Sequence, residues 1–283
     1  MSPDSEKTKM EKGMMIESGC LFCTSKGPFS TIEHIVPESL GNRDFVIEGQ
    51  VCDGCQSYFG KEVERHVLSK TPFGVWRVLL GIPTKKGKPP TIDLSQPKTE
   101  KGILPSCSIH HDDGIGFACN LDGSISVDID NDDIVREIVA GERNQFRFVL
   151  SPEHLAMIGR FLGKIALEAY CLRSPDGARA VQFDALRHYV RYGVRQELWP
   201  LFHDVLYTPS EFQGALSCGS LPFWEGRISE TPDNYVLFSF RLGPERWSLC
   251  MNVQFPTTDI PELMADFRER CIWYPSSSWG RST

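Results

Sequence analysis

Two Cys-x-x-Cys pairs, Cys20/Cys23 and Cys52/Cys55, with Glu33-His34 between them, are the residues of this chain best suited to chemistry. Each short loop can present two thiolates to one edge of a tetrahedron, so one structural zinc held by all four sulfurs is the expected outcome. The competing readings are a redox dithiol and a chance pairing of core cysteines. A redox dithiol sits at a helix start in a βαβ setting. The second pair precedes a helical pattern, the first does not, and the duplication favours metal. The other six cysteines, Cys107, Cys119, Cys171, Cys218, Cys250 and Cys271, are scattered and read as small buried hydrophobes. Histidine titrates near neutrality, so His34 can take a proton from water. The carboxylate of Glu33 is a hard ligand suited to a divalent cation such as Mg²⁺.

The intervening segment must fold to bring the two pairs together. Gly27-Pro28 marks a turn, Thr31 to Val36 reads as a strand, Leu40-Gly41-Asn42 turns the chain, and Phe45-Val46-Ile47 reads as a second strand. From Gln56 the period changes: Tyr58, Phe59, Val63, His66 and Val67 stand at helical spacing, which predicts a helix to about Leu68. The order is therefore strand, strand, helix.

The rest of the 283-residue chain is long enough for a second domain. Residues 1–15 are polar and expected to be disordered, without the apolar run of a secretory signal. The first module is placed at 16–70. Residues 71–104, with Lys85, Lys86, Lys88 and several prolines, read as a linker with a partial helix, and 105–283 as an α+β domain. Within it, Asp112-Asp113-Gly114 and Asp122-Gly123 flank expected hairpin strands. Ser151-Pro152 caps a strong helix with Leu155, Ile158, Phe161, Leu162 and Ile165 on one face. A second helix is expected from Phe183 to Leu198, with Gly193 weakening its middle. Tyr235 to Phe240 and Trp247 to Val253 read as a hairpin around Gly243-Pro244.

The run Thr31-Ile32-Glu33-His34-Ile35-Val36-Pro37-Glu38-Ser39-Leu40-Gly41 resembles the first half of the HNH endonuclease signature. Its second half, Cys-x-x-Cys followed by Asn or His at a helix start, is matched by Cys52-Asp53-Gly54-Cys55-Gln56. The likeness extends more loosely to Tyr58-Phe59-Gly60-Lys61 and to Lys164-Ile165-Ala166-Leu167-Glu168, which resembles larger bacterial proteins carrying this subtype. The resemblance implies an α+β protein with an N-terminal zinc-stapled ββα-metal module. Its expected activity is metal-dependent hydrolysis of nucleic-acid phosphodiester bonds, with DNA as the substrate. His34 would be the general base, oriented by a backbone carbonyl of the first strand. Glu33 and Gln56 would hold a catalytic Mg²⁺ or Mn²⁺. Two departures stand out. Glutamine occupies a position usually held by Asn or His, and the family's central Asn has no clear counterpart, leaving Asn42 a supporting role.

A net charge of −7 runs against bulk attraction to phosphates, although charge can be segregated and bound cations add to it. Arg187, Arg191 and Arg195 recur at i, i+4 and i+8, with His188, Tyr189 and Tyr192 beside them. Such a stripe could track phosphates, or be a solvated helix face. His110-His111-Asp112-Asp113 lacks a second ligand set and reads as a loop. No run is long enough for a membrane helix, so a soluble cytoplasmic protein is expected. A homodimer or a regulatory partner is consistent with the larger region, since one HNH centre cuts one strand. The alternative to an enzyme is a noncatalytic zinc-knuckle module that binds nucleic acid or a protein. His34 separates the two, because a binding module has no need of an acidic-His pair between its knuckles.

Overall fold

Ser151 caps the longest helix, accepting from His154 N, while His154 Nδ1 accepts from Ser151 N and Pro152 takes the first turn. In the computed structural model this helix, α5 (Pro152–Arg173), is buried on every side from Leu155 to Glu168, as befits a central element. The structure describes residues 19–84, 86–93, 115–119, 125–129, 132–142, 150–193, 198–232, 234–253 and 271–273.

The elements preceding α5 are β1 (Glu33–His34), β2 (Val46–Ile47), α1 (Asp53–Tyr58), α2 (Arg65–Lys70), α3 (Pro72–Leu79), β3 (Thr91–Asp93), β4 (Ile115–Cys119), β5 (Ile125–Ile129) and α4 (Asp132–Val139). A π-helical segment, Phe59–Glu64, joins α1 to α2. After α5 come α6 (Asp184–Tyr192), β6 (Leu201–Val205), α7 (Pro209–Ser217), β7 (Trp224–Glu230), β8 (Val236–Leu242), β9 (Glu245–Cys250) and β10 (Cys271–Trp273). Among the described residues all pairings are antiparallel. They form a two-stranded ribbon β1-β2, a three-stranded sheet β3-β4-β5 and a five-stranded sheet β10-β6-β9-β8-β7. The mixture of helices and antiparallel sheets is the α+β class read from the sequence.

Several expected boundaries move. The two strands around His34 shrink to a pair of two-residue strands, Glu33 opposite Ile47 and His34 opposite Val46. The second long helix stops at Tyr192, because Gly193 leaves helical geometry at φ −53° and ψ 139°. The stretch 71–104 contains α3 and β3. His110–Asp113 lie outside the described residues, as do Cys107 and Arg195. Cys171 and Cys250 are buried as expected, but Cys218 is exposed just beyond α7, where no core reaches it.

Buried side chains form one continuous cluster from Cys20 through α5 to Val253. Phe73 of α3 is a junction in it, with ring centroids 5.5 Å from Phe161, 6.3 Å from Phe240 and 5.7 Å from Trp247. Glycines let α6 close onto α5: a Cβ on Gly163 would lie 2.6 Å from Val190 Cγ2 and 3.0 Å from Leu186 Cδ1. Gly163→Ala is therefore expected to cost about 1–3 kcal/mol by overpacking, measured as a lower urea midpoint with unchanged metal content. Among the described residues no helix is long and apolar enough to cross a membrane.

Candidate metal centre and the His34 strand

The four sulfurs of Cys20, Cys23, Cys52 and Cys55 all lie within 4.8 Å of one another. Cys23 Sγ and Cys52 Sγ are 3.6 Å apart, near the roughly 3.8 Å edge of a tetrahedron with metal–sulfur bonds of about 2.3 Å. Local backbone geometry brings the loops together. Gly19 adopts φ 71°, and a Cβ there would lie 2.4 Å from Thr24 O. Leu21 N donates to Gln50 O at 2.8 Å, tying the first knuckle to the approach of the second. Arg179 crosses between them, donating to Gly19 O at 3.0 Å and to Gln50 Oε1 at 2.9 Å.

Four crowded sulfurs cannot all ionise without a cation. The hydrogen bond with Cys55 draws the Cys20 thiol down to about 4, whereas the same contact, with burial, pushes Cys55 up. Burial raises Cys52 as well. The two directions at Cys20 and Cys55 describe one shared proton, and a bound dication would release it. Arg191 adds positive charge, donating from Nε to Cys55 Sγ at 3.3 Å while its guanidinium stacks 4.1 Å over the Tyr58 ring.

The strand with Glu33 and His34 is tied to the start of α1. Asp53 Oδ1 accepts from Ser30 N at 2.9 Å and from Thr31 Oγ1 at 2.9 Å, and Asp53 Oδ2 accepts from the Ser30 hydroxyl. The Ser30 hydroxyl is the main reason the Asp53 carboxyl lies below its ordinary value. Gln56 sits beside this tie: its Oε1 accepts from Thr31 Oγ1 at 2.7 Å, and its Nε2 donates to Thr31 O at 3.0 Å and Val51 O at 3.1 Å. Asn42, 4% exposed, staples the hairpin by donating to Val36 O at 2.6 Å and Phe45 O at 2.9 Å and accepting from Phe45 N at 2.9 Å.

His34 and Glu33 point to opposite faces of β1, as alternation along a strand demands. The His34 side chain is 26% exposed, with Nε2 3.5 Å from Glu38 Oε1. Its Nδ1 is buried and has no hydrogen-bond partner among the described residues, so the expected orienting carbonyl is replaced by a carboxylate one turn ahead. Glu33 turns inward to a lysine that the sequence reading named only within a loosely family-like segment, with no role assigned. Lys164 of α5, fully buried, lies 2.5 Å from Glu33 Oε1, 2.9 Å from Glu64 Oε1 and 3.2 Å from Glu168 Oε2. It also donates to His34 O at 3.0 Å. Burial alone would push the lysine ammonium down, but Glu168, Glu64 and Glu33 hold it above its ordinary value. Burial raises Glu33 and, more strongly, Glu168. One cation faces three carboxylates, so the lysine stays charged and any retained proton sits on the carboxyl side.

Glu33 and Gln56 thus form no joint donor set for a catalytic cation: one carboxylate oxygen is on Lys164, and the amide oxygen is on Thr31. The arginine stripe is also turned inward. Arg187 donates to the carbonyls of Ala178, Arg179 and Ala180 and pairs with Asp184. Arg191 is engaged at Cys55 and Tyr58, and Arg195 lies outside the described residues. The stripe read from helical spacing therefore offers no row of uncommitted guanidinium groups among the described residues.

The two-knuckle, two-strand, one-helix arrangement spans Cys20 to Lys70. Residues 20–71 match the HNH endonuclease family. No curated protein and no solved structure matched the chain. The HNH module carries Glu33, His34, Gln56, Glu64 and the four cysteines, whereas Lys164, Glu168 and Arg191 come from helices outside the matched residues. Lys164 and Glu168, spaced i, i+4 in and just after the apolar run Ile158–Leu167, were the available signal for this second contribution.

Proposed function

We propose that this protein is a metal-dependent HNH endonuclease acting on DNA, with His34 as the general base. The observation that carries the reading is the placement of a quarter-exposed histidine on a strand pinned between a four-sulfur cluster that could hold a metal and a helix, within residues matching the HNH endonuclease family. Zinc is the ion that suits four thiolates at tetrahedral spacing, and its role is structural.

With Nδ1 buried, Nε2 beside Glu38 is the ring nitrogen left to take the proton from water, and the Glu38 carboxylate would stabilise the imidazolium so formed. The divalent cation used by such nucleases would neutralise charge on the scissile phosphate. Glu33 and Gln56, as arranged, do not fit as its joint ligands, so no step is routed through them. The commitment of those two residues to protein partners is what favours the second reading, a noncatalytic zinc module that binds nucleic acid or a protein.

Zinc-loaded protein incubated with supercoiled plasmid decides between them. Nicking that requires Mg²⁺ or Mn²⁺ and stops with chelator supports the nuclease. Retarded but uncut DNA in every metal supports the binding module. RNA of mixed sequence, run in parallel, checks the choice of DNA.

A further inference from the structure

The strongest feature that the nuclease reading leaves unused is the fully buried Lys164. An ammonium has three donors, and here three carboxylates and two backbone carbonyls crowd around it. They are the carboxylates of Glu33, Glu64 and Glu168, as ion-pair partners, and the backbone carbonyls of His34, at 3.0 Å, and Ile35, at 3.5 Å. These groups come from three places: β1 with the residue that follows it, the π-helical segment and α5 itself. The π-segment widens the helix just where Glu64 must reach inward, and such bulges often sit at functional sites.

A charge is rarely kept in an apolar core unless its geometry is needed. What this one grips is the two-residue strand that presents His34. Hydrogen bonds to the carbonyls of His34 and of Ile35, the residue after it, hold that strand, and an ion pair holds it by the Glu33 side chain.

Resting on the endonuclease reading above, we infer that Lys164 is a built-in cation of the nuclease centre. It positions His34 from α5 and takes up the Glu33 carboxylate, so Glu33 is a positioning residue and not a ligand of the catalytic cation. The HNH module is then completed by a helix that lies about a hundred residues beyond its own helices, and the larger region is part of the catalytic apparatus.

Three measurements test this. In the zinc-loaded full chain, Lys164→Met is expected to lower kcat for nicking by about 100-fold while KM for DNA changes little, the signature of a misplaced base. Unchanged kcat overturns the proposal. Should Lys164→Met fail to fold, the triple variant Lys164→Met/Glu33→Gln/Glu168→Gln removes the charges left without their cation; it is expected to fold with low kcat, and wild-type kcat in it overturns the proposal.

Glu33→Gln is expected to lower kcat with the Mg²⁺ concentration for half-activation unchanged. A rise of about tenfold or more marks Glu33 as a ligand and overturns the assignment.

If the wild-type protein nicks nothing, the nuclease reading fails by itself, and the clamp is read from amide hydrogen exchange. Exchange at Ile35 at least about tenfold faster in the Lys164→Met or triple variant, with α6 amides unchanged, supports it. Equal exchange overturns it.

Discussion

If His34 is the general base proposed above, His34→Ala is expected to lower metal-dependent nicking by about 10²- to 10⁴-fold, the range supplied by a positioned general base. The effect is expected on kcat, because in that role the imidazole meets the reacting water and not the distant parts of the substrate. The fold has little reason to respond. His34 is a quarter exposed, its Nε2 lies 3.5 Å from Glu38 Oε1, and its backbone is held independently by Lys164 and by pairing with Val46. Zinc content therefore stays at its wild-type value, and the thermal midpoint moves by no more than a surface substitution would move it. Plasmid nicking under single-turnover conditions, with metal content measured on the same sample, checks both. Retained nicking by a zinc-loaded His34→Ala protein would remove His34 from the role proposed for it.

Loss of the proposed structural metal is expected to have the second large effect, reaching well beyond the knuckles. Cys52→Ser is expected to abolish stoichiometric zinc and to unfold the module cooperatively, since apparent zinc-binding energies on the order of 10 kcal/mol are folding energy for such sites. Cys20, Cys52 and Cys55 are nearly inaccessible and belong to the same buried cluster as Phe59, Ile165 and Leu186. Arg191, Arg179 and Lys164 join α5, α6 and the segment between them to the module. Destabilisation should therefore spread into α5 and α6 and appear as lost helical circular dichroism, not as a local change near residue 20. A strong chelator should act the same way. Acid should release the ion, because thiolates must be reprotonated to let it go. Full helicity in a zinc-free Cys52→Ser protein would show that the apolar core suffices.

Much of the metal centre was legible in the sequence because it is built from local rules. The Cys-x-x-Cys spacing sets the geometry of each sulfur pair, the strand-strand-helix pattern between them sets their approach, and Ser151-Pro152 announces the start of α5. Each needs only a few neighbouring residues. Strand lengths were read too long because the β1–β2 ladder extends over only two residue pairs. Asn42 and Asp53 hold this hairpin through side chains, at the expense of regular pairing.

The role of each charged side chain could not be read this way. Helical spacing placed Arg187 and Arg191 on one stripe, correctly as a pattern, but which way a stripe faces depends on what packs against it. Here the carbonyls after α5 and the thiolate site of the HNH module claim both. Glu33 beside His34 is the usual pairing of an acid with a base in sequence, yet strand alternation sends the two to opposite faces, and only the packed helix says what awaits the one that turns inward. That partner is Lys164, 130 residues from His34, and no local rule links the two. The amino-acid sequence by itself determined the module and its four-cysteine cluster, because their geometry is short-range. Only the tertiary structure decided which charges are free to meet a substrate, because a charge in a packed core takes whatever counter-charge the fold delivers to it.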